Sequence, residues 1–300
     1  MKFRTDYRKL LDPKIVSKIS SLDLRAKNIV EGFLIGLHKS PYHGFSVEFS
    51  EHRQYIPGDE IKDIDWKVYA KTDKFFIKQY EEETNLKSYI IIDTSKSMVY
   101  TSSELSKFNY AITLGAALAY LLFDQNDAVG LVLYSDKINN LIEPRASKTN
   151  LIEILKVLAK SKPDGKTETL SCLNEISEKI KKRGLVIVIS DLLDNLENTI
   201  TALKKFRLRK NEVIVFHLLD PKEKTFEFSK DAIFKDLESN DEILTQPYQI
   251  RGAYRELFEK FIEKLKRELL NNLIYYNLIT TDQTFDKALL EFLKKRKRLL

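Results

Sequence analysis

From residue 86 onward, short runs free of charged residues alternate with helical patterns, and this alternation constrains the fold most. Tyr89-Ile90-Ile91-Ile92 ends at Asp93. The run 128–134 opens at the turn pair Asn126-Asp127, and Asp136-Lys137 turns it into a further strand over 138–142. A run over 185–189 ends at Ser190-Asp191, and others cover 213–218 and 277–281. Helical spacing fills the stretches 104–123, 149–159, 170–182, 196–206, 251–272 and 285–295 between and after them. Strands that are apolar along their whole length are covered on both faces. The prediction is therefore an α/β fold, a three-layer, doubly wound and mostly parallel sheet.

The N-terminal part reads differently. Ile15, Ile19, Leu22, Ala26, Ile29, Val30, Phe33 and Leu37 recur at spacings of three and four, the mark of an amphipathic helix. Asp12 suits its N-cap and Pro13 its first position. Phe45, Val47 and Phe49 then alternate with polar residues as in a half-buried strand. Pro57-Gly58 is a turn pair, and 75–80 reads as another strand. These features predict an N-terminal segment, 1–85, of helix and β-hairpin, ahead of an α/β domain over 86–300.

Composition removes several classes. Of 300 residues one is cysteine, Cys172, so an internal disulfide and a Cys-based zinc site are excluded and a reducing compartment is expected. The apolar stretch 111–123 is shorter than the ~18–20 residues that span a bilayer. The charged N-terminus lacks the apolar core of a signal peptide, so the expected location is cytoplasmic. The net charge of +6 hints at an anionic partner, but Lys294-Lys295-Arg296-Lys297-Arg298 supplies five of those charges. The body of the chain is close to neutral.

In open α/β sheets ligands bind beyond the carboxyl ends of the strands. Asp93-Thr94-Ser95-Lys96-Ser97 follows the first apolar run, Ser190-Asp191 follows the fourth, and Gly165-Lys166-Thr167 opens a helix between them. Asp93, Ser95, Ser97, Thr167 and Asp191 form an all-oxygen donor set suited to Mg²⁺ or Mn²⁺. Two carboxylates neutralise a divalent cation. Neutral hydroxyls leave it Lewis-acidic toward an outside ligand. Asp and Ser are also ordinary turn and N-cap residues, and the matching positions of Thr167 and Asp191 weigh against coincidence.

These residues resemble the metal-ion-dependent adhesion site of von Willebrand factor type A domains. Arg53-Gln54-Tyr55-Ile56-Pro57-Gly58-Asp59 with Ile64-Asp65-Trp66, the stretch 184–194 and Leu219-Asp220-Pro221-Lys222-Glu223 resemble the domain-of-unknown-function 58 family. The resemblance implies a type A fold with one antiparallel strand. It also implies a site in which Ser95, Ser97 and Thr167 approach a metal through hydroxyls and Asp93 and Asp191 often act through water. A partner protein's carboxylate would complete the shell, with occupancy in its absence left open. The resemblance further implies work alongside a MoxR-type AAA+ ATPase in a chaperone-like or assembly role. Many type A domains read Gly-Gly-Thr where this chain has Gly165-Lys166-Thr167, so Lys166 is expected to face solvent.

Arg53, Asp59 and Asp65 are candidates for a partner surface. The preferred alternative makes Trp66 a buried anchor, with the two aspartates pairing Arg53. His38, His43, His52 and His217 show no metal-ligand spacing, and His217 reads as a core or rim residue. Lys107 and Lys148 read as surface charges. The expected function is a non-enzymatic, metal-dependent protein-interaction module. A phosphohydrolase using Asp93 is an alternative, weakened because Ser95 stands where such enzymes carry a second carboxylate. A nucleic-acid binder acting through the basic C-terminus is another, weakened by the lack of interleaved aromatic residues.

Overall fold

The computed structural model describes residues 22, 25–27, 29–30, 52–55, 66–78, 87–228, 232–237 and 242–296. The strand expected around Phe45, Val47 and Phe49, the Pro57-Gly58 turn and much of the expected N-terminal helix lie outside the described residues.

Six strands form the central sheet: β3 (Lys87–Asp93), β4 (Ala128–Tyr134), β5 (Ile138–Arg145), β6 (Leu185–Ser190), β7 (Glu212–Leu219) and β10 (Ile274–Thr280). Their spatial order is β5-β4-β3-β6-β7-β10. All neighbours are parallel except β4 and β5. This is the doubly wound, type A arrangement with one antiparallel edge strand. The order reverses between β3 and β6, so the crevice beyond their carboxyl ends is the ligand position of such a sheet.

Alternation along each strand divides the core into two layers. Ile90, Ile92, Leu131, Leu133, Ile187 and Ile189 face one side, against α2 (Lys107–Asp124), α3 (Lys148–Lys160) and α8 (Phe285–Arg296). Leu22, Ala26 and Val30, all helical, are buried in that same layer. Ile91, Val132, Val186, Val188 and Val215 face the other side, against α4 (Thr169–Lys179), α5 (Leu196–Leu208) and the end of α7 (Pro247–Asn271). Helix α2 lies so close to the sheet that a Cβ on Gly115 would sit 2.6 Å from Ile92 Cδ1.

Two smaller units flank the sheet. β1 (His52–Gln54) pairs antiparallel with β2 (Phe76–Lys78), and α1 (Trp66–Thr72) lies between them in the chain. Between β7 and β10 come α6 (Pro221–Thr225), the hairpin β8 (Ala232–Lys235) with β9 (Glu242–Thr245), and α7. Trp66 is not the buried anchor expected. It is 55% exposed, because it stands at the first position of α1 and meets Tyr69 edge-on with its ring centroid 6.0 Å away. Tyr69 in turn stacks on Phe75 at 4.4 Å, and Phe75 is itself 42% exposed, so the aromatic cluster of that unit lies at its surface. Among the described residues no helix is long and apolar enough to cross a membrane.

Candidate metal centre

Asp93 is the last residue of β3, at the point where the strand order reverses, and is fully buried. Its Oδ1 accepts the Ser95 N–H at 2.9 Å, which folds the following loop back over the strand end. Its Oδ2 accepts the Ser190 hydroxyl at 2.8 Å, with the Tyr134 hydroxyl at 3.5 Å. That loop turns Ser95 and Ser97 toward one another, so their Oγ atoms are 2.9 Å apart. Ser95 caps a single 3-10 turn, Lys96–Val99, and Ser97 lies in it, so the tight winding of the turn brings the two hydroxyls together.

Asp191 follows β6 and is also buried. Leu192 beside it has φ 49°, a left-handed backbone that is uncommon for a residue other than glycine. The turn is held by the Leu192 N–H donating to Ser190 Oγ at 3.0 Å and the Leu193 N–H donating to Asp191 Oδ1 at 3.4 Å. The third segment is stitched across the strand ends by backbone bonds. The Asp164 N–H donates to the Thr94 carbonyl at 2.8 Å, Lys96 N–H to Gly165 at 3.2 Å and Glu168 N–H to Ser135 at 3.1 Å. Gly165 has φ +78°, and a Cβ there would lie 2.9 Å from Asp136 Oδ1, so both backbone and space require glycine. This places half-buried Thr167 on the loop beside the Asp93 turn, with Lys166 exposed.

Lys107 overturns its reading as a surface charge. It is fully buried at the first position of α2, and Nζ donates to Asp191 Oδ2 at 2.8 Å and to Glu223 Oε1 at 2.6 Å. Two carboxylates take the place of water around the ammonium, which is how a buried lysine remains charged. Glu223 belongs to a capping box at the start of α6. Its Oε2 accepts the Asp220 N–H at 2.8 Å, while Asp220 accepts the Lys222 N–H and both the backbone N–H and hydroxyl of Ser102.

The charges act on one another. Burial and then the negative charge of Asp191 push the Asp93 carboxyl up to about 6. Burial opposes ionisation of Asp191 too, but the Lys107 ammonium outweighs it and holds that carboxyl below its usual value. Burial also works against the charged form of Lys107, and Asp191 and Glu223 together keep its affinity for the proton above the ordinary one. Asp191 and Glu223 thus hold the one ammonium, and Asp93, acting on Asp191, adds a third carboxylate beside the two converging hydroxyls. A divalent cation fits this donor set. Among the described residues no three His, Cys, Asp or Glu side chains are gathered to ligate a metal by themselves, so the hydroxyls would be needed.

A match to the family described as "Protein of unknown function DUF58" covers residues 51–264. The chain belongs to the DUF58 family. An uncharacterized protein of Mycobacterium tuberculosis is 25% identical to it over 252 residues, 83% of this chain and 78% of that protein, and one from Mycobacterium bovis matches equally. Among solved structures, the conserved hypothetical protein BatB from Bacteroides thetaiotaomicron covers 71% of this chain and 99% of its own, at 18% identity and a TM-score of 0.49. An aerotolerance-related membrane protein from Bacteroides fragilis covers 70% and 99%, at 19% identity and a TM-score of 0.46.

Within this DUF58 chain the structure brings Asp93, Ser95, Ser97 and Asp191 into one group and sets Thr167 on the adjoining loop. Arg53 lies on β1 opposite Ile77; its side chain, Asp59 and Asp65 lie outside the described residues. Sequence reasoning gave Lys107, Glu223 and Ser190 no role at the site. Lys107 had a signal: a cation at the N-terminal end of a helix opposes the helix dipole and needs a compensating partner. His217 is buried, as its place in an apolar strand suggested, with Nδ1 2.7 Å from the Tyr276 hydroxyl.

Proposed function

We propose that this chain is a metal-dependent protein-interaction module. The carrying observation is the convergence of the Ser95 and Ser97 hydroxyls, 2.9 Å apart, beside two buried carboxylates at the switch point of the sheet. Asp93, Ser95, Ser97, Thr167 and Asp191 would hold a Mg²⁺ or Mn²⁺ ion, which when bound supplies a Lewis-acidic position for an outside carboxylate. The protein's own part is to fix the donors. Ser190 and the Ser95 N–H orient Asp93, and the stitched loop carries Thr167 to the site's edge.

The partner is a protein presenting an acidic side chain, with a MoxR-type AAA+ ATPase in an assembly role as the specific candidate that the family resemblance implies. Exposed Trp66, next to the Arg53, Asp59 and Asp65 segment, supports a second area of partner contact. The enzymatic alternative is disfavoured because Ser95 stands two residues after Asp93, where such enzymes carry a second carboxylate as acid and base.

The test is a pull-down with and without Mg²⁺, comparing wild type with Asp93→Ala. Partners retained only by wild type and only with Mg²⁺ are expected. Identical partner sets under all conditions sink the reading.

A further inference from the structure

We propose that Lys107 is a resident counter-ion of the metal centre, a positioning residue that lowers the affinity for a divalent cation. The inference rests on the metal-site reading above and specifies how that site is regulated. Lys107 Nζ holds Asp191 Oδ2, an oxygen of the carboxylate that the cation also needs, so ammonium and cation compete for one group. Glu223 Oε1, 2.6 Å from Nζ, is the acceptor on which the ammonium falls back when Asp191 turns to the cation.

The placement is costly and specific. Lys107 stands at the first position of α2, where the helix dipole disfavours a cation, and it is fully buried. Removing its charge leaves Asp191 and Glu223 without their paired cation among the described residues, and the joint pull of Asp93, Asp191 and Glu223 on a divalent ion rises. With Lys107 in place, the site keeps its shape without metal and holds a cation weakly. Retention then depends on the carboxylate a partner adds.

Mn²⁺ binding to the full chain, measured by titration calorimetry, tests this with opposed signs. Lys107→Met is expected to bind Mn²⁺ about tenfold more tightly or better, since a like charge is removed from a poorly screened interior. Lys107→Arg keeps the charge and stays near wild type. Glu223→Gln confines the ammonium to Asp191 and removes a negative charge, so binding weakens by roughly threefold or more. General damage to the fold would weaken binding in every variant and would not strengthen it in one.

Circular dichroism confirms folding, and Lys107→Gln replaces the methionine variant where that fails to fold. Binding that is lost in Asp93→Ala, yet no tighter without the Lys107 charge, overturns this proposal alone. Absence of Mn²⁺ binding in wild type and in both uncharged Lys107 variants overturns it together with the metal-site reading.

Discussion

Helices α2 and α7 both carry lysines paired with carboxylates, in opposite surroundings. In α2 nearly every side chain from Lys107 to Leu122 is buried, and Lys107 is enclosed between Asp191 and Glu223. In α7 the buried residues are Pro247, Leu265 and Leu269, and its lysines pair at the surface, Lys260 with Glu256 and Lys264 with Glu197, each at 2.6 Å. The distances are alike, so distance does not measure the energy. Water screens the α7 pairs, whereas in α2 each charge depends on its partner. The first half of α7 is held by aromatic stacking instead, Tyr254 on Phe226 at 4.1 Å and on Phe258 at 5.5 Å.

The contrast is tested hardest by Lys107→Met. Without metal, Asp191 and Glu223 are left buried and uncompensated, and a loss of about 3–5 kcal/mol in unfolding free energy is expected from urea titration. Added Mn²⁺ should recover part of it, because the cation then supplies the missing charge. A loss no larger than a surface substitution gives would show that water reaches the pair and would erase the distinction between the helices.

Asp93→Asn gives the next largest effect, with the opposite sign. The folded Asp93 carboxyl is raised to about 6 by burial and by Asp191, above the unfolded value. Between those two values the folded state binds more protons, so its stability rises as pH falls and is lost again as pH climbs through about 6. The asparagine variant lacks that penalty. Metal-free, it should be more stable than wild type at pH 7 by roughly 2–3 kcal/mol, and the difference should close toward pH 4. His217, lowered to about 4 by burial, acts the other way in both proteins: below its unfolded value of 6.5 stability falls with pH. The comparison of the two proteins therefore isolates Asp93.

Much of the sheet was legible in the sequence for a plain reason. The run 128–134 is apolar throughout and opens at Asn126-Asp127, and β4 occupies those same residues. Such a run has no exposed face to offer, so burial on both sides is its only stable use. Asp93 and the Ser190-Asp191 pair were legible as polar residues ending such runs. The hairpin of β8 and β9 was not, since each strand has four residues and side chains such as Ile243 and Leu244 remain exposed, so no burial pattern marks it. Lys107 and Trp66 misled in mirror fashion. Residue type alone put the lysine outside and the tryptophan inside, while position decided the reverse. What sits at the first turn of a helix depends on what the end of a distant strand brings to it, and Asp191 and Glu223 reach Lys107 from elements far along the chain.

The smallest expected effect is the most direct control on the comparison. Lys264 donates to Glu197 at 2.6 Å, a shorter contact than the 2.8 Å between Lys107 and Asp191, and it bridges α7 to α5. Both side chains are largely in solvent, so forming the pair exchanges one set of water contacts for another and orders two long side chains. Lys264→Met should leave the urea midpoint unchanged within error, and raising salt to 1 M should change wild type and variant alike. A destabilisation approaching that of Lys107→Met would mean that α7 is clamped to α5 by charge, and that the geometry of a pair outranks its burial in this protein.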